Sequence, residues 1–160
     1  MIPQEISELL QKYKIKYNVL HHELSGKTTE DAEKALGISR EYIIKSLLLE
    51  NRVPEYIGVI ISGNKRLDFS KLKEILRKEE TFSNLKFSFS KPDTVEEVLG
   101  YKIGGVPPFV FYLRRIPTYV DLSFLEKTFV VGAGGDEYTG IKFNPKELKK
   151  LGYKYADITK

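Results

Sequence analysis

The stretch Ile43-Ile44-Lys45-Ser46-Leu47-Leu48-Leu49 reads as a β-strand in which Lys45 is the one charged residue. The other six residues suit a buried strand. Lysine is almost never fully buried unless something pairs with it, because taking an ammonium out of water is costly. Strand alternation puts Lys45 on one face with Ile43 and Leu47, and Ile44, Ser46 and Leu48 on the other. A cation on a mainly apolar face calls for one of two settings: a pocket that receives a polar or anionic group, or a surface edge.

Working outward, turn residues from Asn51 to Pro54 lead into a second strand, Tyr56–Ser62, which is rich in β-branched residues. On the other side, a helix is predicted to start at Thr28 or Thr29, turn Ala32, Ala35 and Leu36 inward and stop at Gly37. A short turn over 39–42 follows it. Ile6, Leu9, Leu10 and Tyr13 have helical spacing, with Pro3 at an early helical position, and 17–20 reads as a short strand. Asp68 is a predicted cap for a helix burying Phe69, Leu72, Ile75 and Leu76. The alternation of 85–90 predicts a half-exposed strand, and Asp93-Thr94-Val95-Glu96 a capping box for a helix ending at Gly100. Further strands are expected around Tyr112, at 118–121, in "TFVVGAGG", in "TGIKF" and in "YKYADI". Asn144-Pro145 marks the start of a last helix, to Leu151. The fold class expected is α/β of the α+β kind. Residues 1–160 form a single domain with a mixed, mostly antiparallel twisted sheet surrounded by helices, rather than a doubly wound parallel sheet.

Composition narrows the chemistry. A chain of 160 residues, 41% hydrophobic and 30% charged, can close a core, and no apolar run reaches the ~20 residues of a membrane span. The N-terminus "MIPQEISELL" has neither a basic n-region nor a small-residue cleavage site, so a cytoplasmic location is expected. No cysteine means no disulfide and no thiol nucleophile. His21 and His22 are the only histidines and point to opposite faces of a strand, so no metal site is expected. No cofactor motif appears either. The net charge of +4 is concentrated in Lys142, Lys146, Lys149, Lys150, Lys154 and Lys160 and in a second basic region from Lys65 to Lys78. That distribution is compatible with a polyanionic partner, although a solvated lysine-rich surface is the reading that composition favours.

Two glycine-rich segments stand out. "VGAGGDEYTGIKF" fits neither the dinucleotide pattern nor the P-loop, and reads as a turn between strands with acidic Asp136 and Glu137 at its tip. "GYKIGGVPPF" combines two flexible glycines with two rigid prolines and leaves the amides of Gly104, Gly105 and Val106 to offer. It is open to two readings: a structural turn, or a loop whose amides hold a carbonyl or developing oxyanion.

Together these segments resemble the YbaK/ProX-type aminoacyl-tRNA deacylases, relatives of the editing domain inserted in bacterial prolyl-tRNA synthetases. "LHHELSGKTTEDAEKALGISREYIIKSLLL" resembles the family's Thr-led, Ala-rich helix ending in "LG" and its lysine-bearing strand. "GGVPPF" looks like the family's G-x-x-x-P loop, with Gly104 and Pro108 at its ends. "YVDLSFLEKTFVVGAGG" and "IKFNPKEL" are similar to its closing segments. Ser46 stands where threonine is commoner, and "GGDEYTG" is longer and more acidic than the usual turn.

The resemblance implies an enzyme that hydrolyses the ester of mischarged aminoacyl-tRNA, with tRNA and an aminoacyl-tRNA synthetase as partners and without membrane or cofactor. It implies catalytic roles for Lys45, Gly104 and Gly105, with Lys45 at the phosphate or ribose end, and substrate contacts from His22, Ser46, Val106, Pro108 and Gly134. Ile43, Leu47 and Ile103 are expected to line the amino-acid pocket, and the C-terminal lysines to meet the tRNA backbone. The competing expectation is a non-catalytic tRNA- or synthetase-binding module.

Overall fold

The computed structural model describes residues 1–160. The chain runs through α1 (Gln4–Lys12), β1 (Tyr17–His21), α2 (Thr29–Leu36), β2 (Ile44–Glu50), β3 (Tyr56–Ser62), α3 (Phe69–Glu79), β4 (Ser88–Phe89) and α4 (Pro92–Leu99). It continues through α5 (Val110–Leu113), β5 (Thr118–Asp121), β6 (Val130–Ala133), β7 (Thr139–Phe143) and β8 (Lys154–Ala156). Short 3-10 segments occupy Arg40–Tyr42, Leu122–Glu126 and Pro145–Leu151. The caps follow side-chain chemistry. Thr28 Oγ1 accepts the Asp31 N–H at the start of α2, and Gly37 closes that helix at φ +67°. The Asp68 carboxylate accepts the N–H groups of Ser70 and Lys71 at the start of α3.

The strands divide into two sheets. One is mixed, in the order β4-β2-β3-β5-β8, with β3, β5 and β8 parallel; the other is antiparallel, in the order β1-β7-β6. The register of β2 on β3 pairs Lys45 with Ile61, Leu47 with Val59 and Leu49 with Ile57. That face packs on Leu72 and Leu76 of α3. The opposite face, with Ile44, Leu48 and Ile60, meets Val130, Ile141 and Phe143 of the second sheet and the side chains of α1, α4 and α5. The one-in-two partition expected for β2 therefore holds from Ile44 onward. Ile43 lies just outside the strand and forms a lone parallel bridge to Val131.

Several local expectations change. Tyr112 belongs to helix α5, where its ring packs edge-on against Tyr13, not to a strand. Helix α4 begins at Pro92 after Lys91, so Asp93 lies inside the first turn and caps nothing. Pro3 is the residue before α1 rather than within it. The expected strand over 85–90 shrinks to Ser88–Phe89, because β2 offers it partners only at Leu49 and Glu50. Phe69, expected in the core, instead meets Phe89 edge-to-face at the surface. Ala35 and Leu36 are half-buried. The segment after Asn144 is a 3-10 helix. No helix is long and apolar enough to cross a membrane.

Candidate active site

Because β4 stops at Leu49 and Glu50, the first half of β2 has an open edge. Leu48 already turns its C=O to that edge, where it accepts the Ser90 N–H at 2.9 Å. Alternation turns the N–H and C=O of Ser46 the same way, and no strand pairs with them. A cavity of about 150 Å³ opens along this edge, a volume comparable to one that holds a benzene ring. Its walls come from β2 (Ile44–Leu47), from Ala32 and Leu36 of α2, and from Val131, Gly132 and Ala133 of β6. His22, Thr28 and the first residue of α2, Thr29, add to it on one side, and the loop residues Ile103, Gly104 and Val106 on the other.

Lys45 lines the cavity, and its Nζ donates to the Lys65 carbonyl at 3.0 Å. Burial holds its pKa below the ordinary 10.5, helped by the nearby charges of Arg66 and Arg40. Ser46 also lines the cavity, and its buried Oγ has no hydrogen-bond partner. His22 Nδ1 donates to the Leu24 carbonyl at 2.6 Å, so in the neutral ring Nε2 is left as an acceptor.

The glycine loop separates into free and committed amides. Gly105 N–H donates to the Lys102 carbonyl at 2.9 Å, and its own C=O accepts the Gly135 N–H at 3.0 Å. Gly105 therefore holds the loop to the β6–β7 turn and does not line the cavity. Gly104 and Val106 both line it, and neither N–H has a partner within the protein. Gly104 is held at φ +92°, and a Cβ there would come within 2.9 Å of the Lys27 Cα. Only glycine lets the loop approach so closely.

Pro108 and Gly134 stand behind the cavity rather than in its wall. The Pro108 ring packs on Gly132, where a Cβ would come within 2.8 Å, and its C=O accepts the Tyr153 hydroxyl at 2.9 Å. Gly134 N–H closes the β6–β7 turn onto the Thr139 carbonyl at 2.8 Å. Ile43, Leu47 and Ile103, expected as pocket residues, do line the cavity. The C-terminal lysines, expected at the tRNA backbone rather than in the pocket, lie away from the cavity: Lys150 pairs with Glu147, Lys154 with Glu79, and Lys149 lies over the Tyr155 ring. Sequence reasoning missed the β6 wall, Val131 to Ala133, since nothing in that segment announces which strand edge it will face. Asp136 and Glu137 also line the cavity.

Comparison with known proteins fits this geometry. Residues 23–151 match the family model of the aminoacyl-tRNA editing domain. The uncharacterized protein YwhH of Bacillus subtilis is 30% identical over 146 residues, covering 89% of this chain and 87% of that one. The proline--tRNA ligase of Thermosipho melanesiensis is 29% identical over 125 residues, 78% of this chain but only 21% of the ligase. A crystal structure of a protein proposed as a trans-editing enzyme for prolyl-tRNA synthetase superposes with a TM-score of 0.76 at 27% identity, covering 98% of this chain and 96% of that one. An open strand edge beside a glycine loop, a lysine at that edge and a match over most of the length agree: this chain belongs to the aminoacyl-tRNA editing domain family.

Proposed function

We propose that residues 1–160 work as one editing domain that hydrolyses the ester of mischarged aminoacyl-tRNA. The observation that carries this reading is the pair of unpartnered amides, Gly104 and Val106, in the wall of a cavity that also holds Lys45 and the free edge of Ser46. Two fixed donors beside a small, mainly apolar chamber suit an ester whose carbonyl oxygen gains charge during attack. One such donor is worth on the order of 10²–10³ in rate.

Water adds to the ester carbonyl carbon, and the carbonyl electrons pass to the oxygen held by the two amides. Collapse re-forms the carbonyl and breaks the bond to the ribose oxygen, releasing amino acid and tRNA. The free ribose hydroxyl beside the ester relays the proton from water to the leaving oxygen, so no side-chain base is required. Lys45 holds the phosphate or ribose end. Asp136 and Glu137, on the wall near Gly104, suit the α-ammonium of the aminoacyl group. The chamber between Ile43, Leu47 and Ile103 admits the amino-acid side chain. A synthetase pocket distinguishes a missing methylene by only about 1–3 kcal/mol, which is why a second, hydrolytic check is needed.

The test is deacylation of a panel of mischarged aminoacyl-tRNAs by wild type and Lys45→Ala. Release of amino acid by wild type, strongly reduced in the variant, is expected. Binding of tRNA with no hydrolysis of any panel member would instead establish a non-catalytic binding module.

A further inference from the structure

The cavity has a charge polarity. At one end Asp136 and Glu137 continue past Ile103 into a second groove, whose rim adds Asp93 and Glu96 and also Lys27 and Lys102, so that it is acidic only on balance. Lys45 takes no part in that groove. Its ammonium lies 3.0 Å from the Lys65 carbonyl, beside the peptide that joins Lys65 to Arg66. Arg66 is exposed, and neither Lys45 nor Arg66 makes an ion pair with any carboxylate. Lys65 itself reaches only Asp121, at 3.9 Å. Two neighbouring cations without a counter-ion repel each other, a cost that an anion between them removes.

We infer that a polynucleotide leaves the cavity across the Lys45–Arg66 face, with the Arg66 guanidinium contacting the phosphodiester backbone next to the nucleotide held in the site. That the strand is the 3′ end of a tRNA rests on the editing reading above; its path rests on the charges. The opposite exit would carry phosphates over a rim where Asp93, Glu96, Asp136 and Glu137 outnumber Lys27 and Lys102, a net like charge. The lysines of the C-terminal stretch are absent from the cavity wall, and Lys149, Lys150 and Lys154 have partners of their own.

The experiment is equilibrium binding of uncharged tRNA ending in CCA, followed by fluorescence anisotropy over a salt series. Arg66→Ala is expected to weaken binding roughly three- to tenfold at low salt and to flatten the log Kd against log salt slope by about 0.7, as for one lost single-strand phosphate contact. Arg66→Lys should recover most of the loss and Arg66→Glu should deepen it. Asp93→Asn combined with Glu96→Gln should leave binding near wild type. Wild-type affinity and slope in Arg66→Ala would overturn the inference. So would marked tightening in the double variant, which would send the strand over the acidic groove. Arg66-dependent binding without hydrolysis would leave the path standing and remove the deacylase reading. Hydrolysis with Arg66-independent binding would do the reverse.

Discussion

The Lys45 ammonium donates a 3.0 Å hydrogen bond to the carbonyl of Lys65, a main-chain dipole rather than a carboxylate. The charge is satisfied as a donor and left unneutralised. A half-buried cation in that state lowers the stability of the fold and keeps its charge for a ligand.

Lys45→Met should therefore separate function from stability. The methionine keeps the stem's packing and removes the desolvated charge. Thermal unfolding should occur at or above the wild-type Tm, while deacylation falls by at least about tenfold, as expected for a lost charge-assisted contact. A variant that loses stability in step with activity would show that Lys45 is structural.

The same burial cost makes Lys45 a source of pH dependence. Its pKa is held below 10.5 in the folded protein, mainly by burial, so the unfolded chain binds more protons between the two values. Stability should rise with pH across that alkaline window in wild type, and the rise should be smaller in Lys45→Met. Parallel urea titrations at several pH values measure it.

Gly104→Ala places a Cβ at φ +92° and within 2.9 Å of the Lys27 Cα. The backbone term alone costs about 1–2 kcal/mol. Displacing the two free amides should reduce the rate by about 10²–10³. Single-turnover hydrolysis of a folded variant, checked by circular dichroism, reads the loss.

Ser46 and Ser62 face the same question with opposite answers. Ser46 Oγ is buried without a partner, whereas Ser62 Oγ donates to the Glu41 carbonyl at 2.7 Å and contacts Asn64 Oδ1 at 2.8 Å. An unsatisfied buried hydroxyl costs roughly 1–3 kcal/mol. Ser46→Ala should be as stable as wild type or more so, with a raised KM; Ser62→Ala should lose about 1 kcal/mol. Chemical denaturation of both variants decides it.

Glu5 ties α1 to the loop that supplies Gly104. Its carboxylate takes two 2.8 Å bonds from Arg114 and one of 2.5 Å from the Tyr101 hydroxyl. The Arg114 bonds, aided by Tyr101, hold the Glu5 carboxyl below its ordinary 4.5. Its contribution is thus fully present above that value and is lost as pH falls through the lower folded value. Glu5→Gln should cost about 1 kcal/mol at neutral pH. The Tm difference from wild type should close progressively below pH 4.5.

The helices were legible in the sequence wherever a cap and a period agreed. Thr28 and Gly37 bracket α2, and Asp68 opens α3, because these signals act within a single turn of chain. Tyr112 misled for the converse reason. An aromatic between apolar neighbours, Phe111 and Leu113, suits a strand or a helix, and its packing against Tyr13, far away in sequence, goes with the helix. Lys45, Ser46, Gly104 and Val106 could be singled out as residues, but not Gly105's commitment to Lys102 and Gly135, nor the retreat of Pro108 and Gly134 behind the wall.

What the sequence by itself determined is the alternation of β2, the loop that only glycine can form, and a lysine that apolar neighbours do not explain. These are properties of a few consecutive residues and their backbone preferences. Tertiary structure alone decided that β4 stops two residues into its pairing with β2, so that the strand edge beside Lys45 stays open. It also decided that β6 comes to face that edge, and that Lys45 meets a carbonyl and a neighbouring Arg66 instead of a carboxylate. Those outcomes depend on how two sheets pack across a shared core, and no local pattern encodes the distance between them.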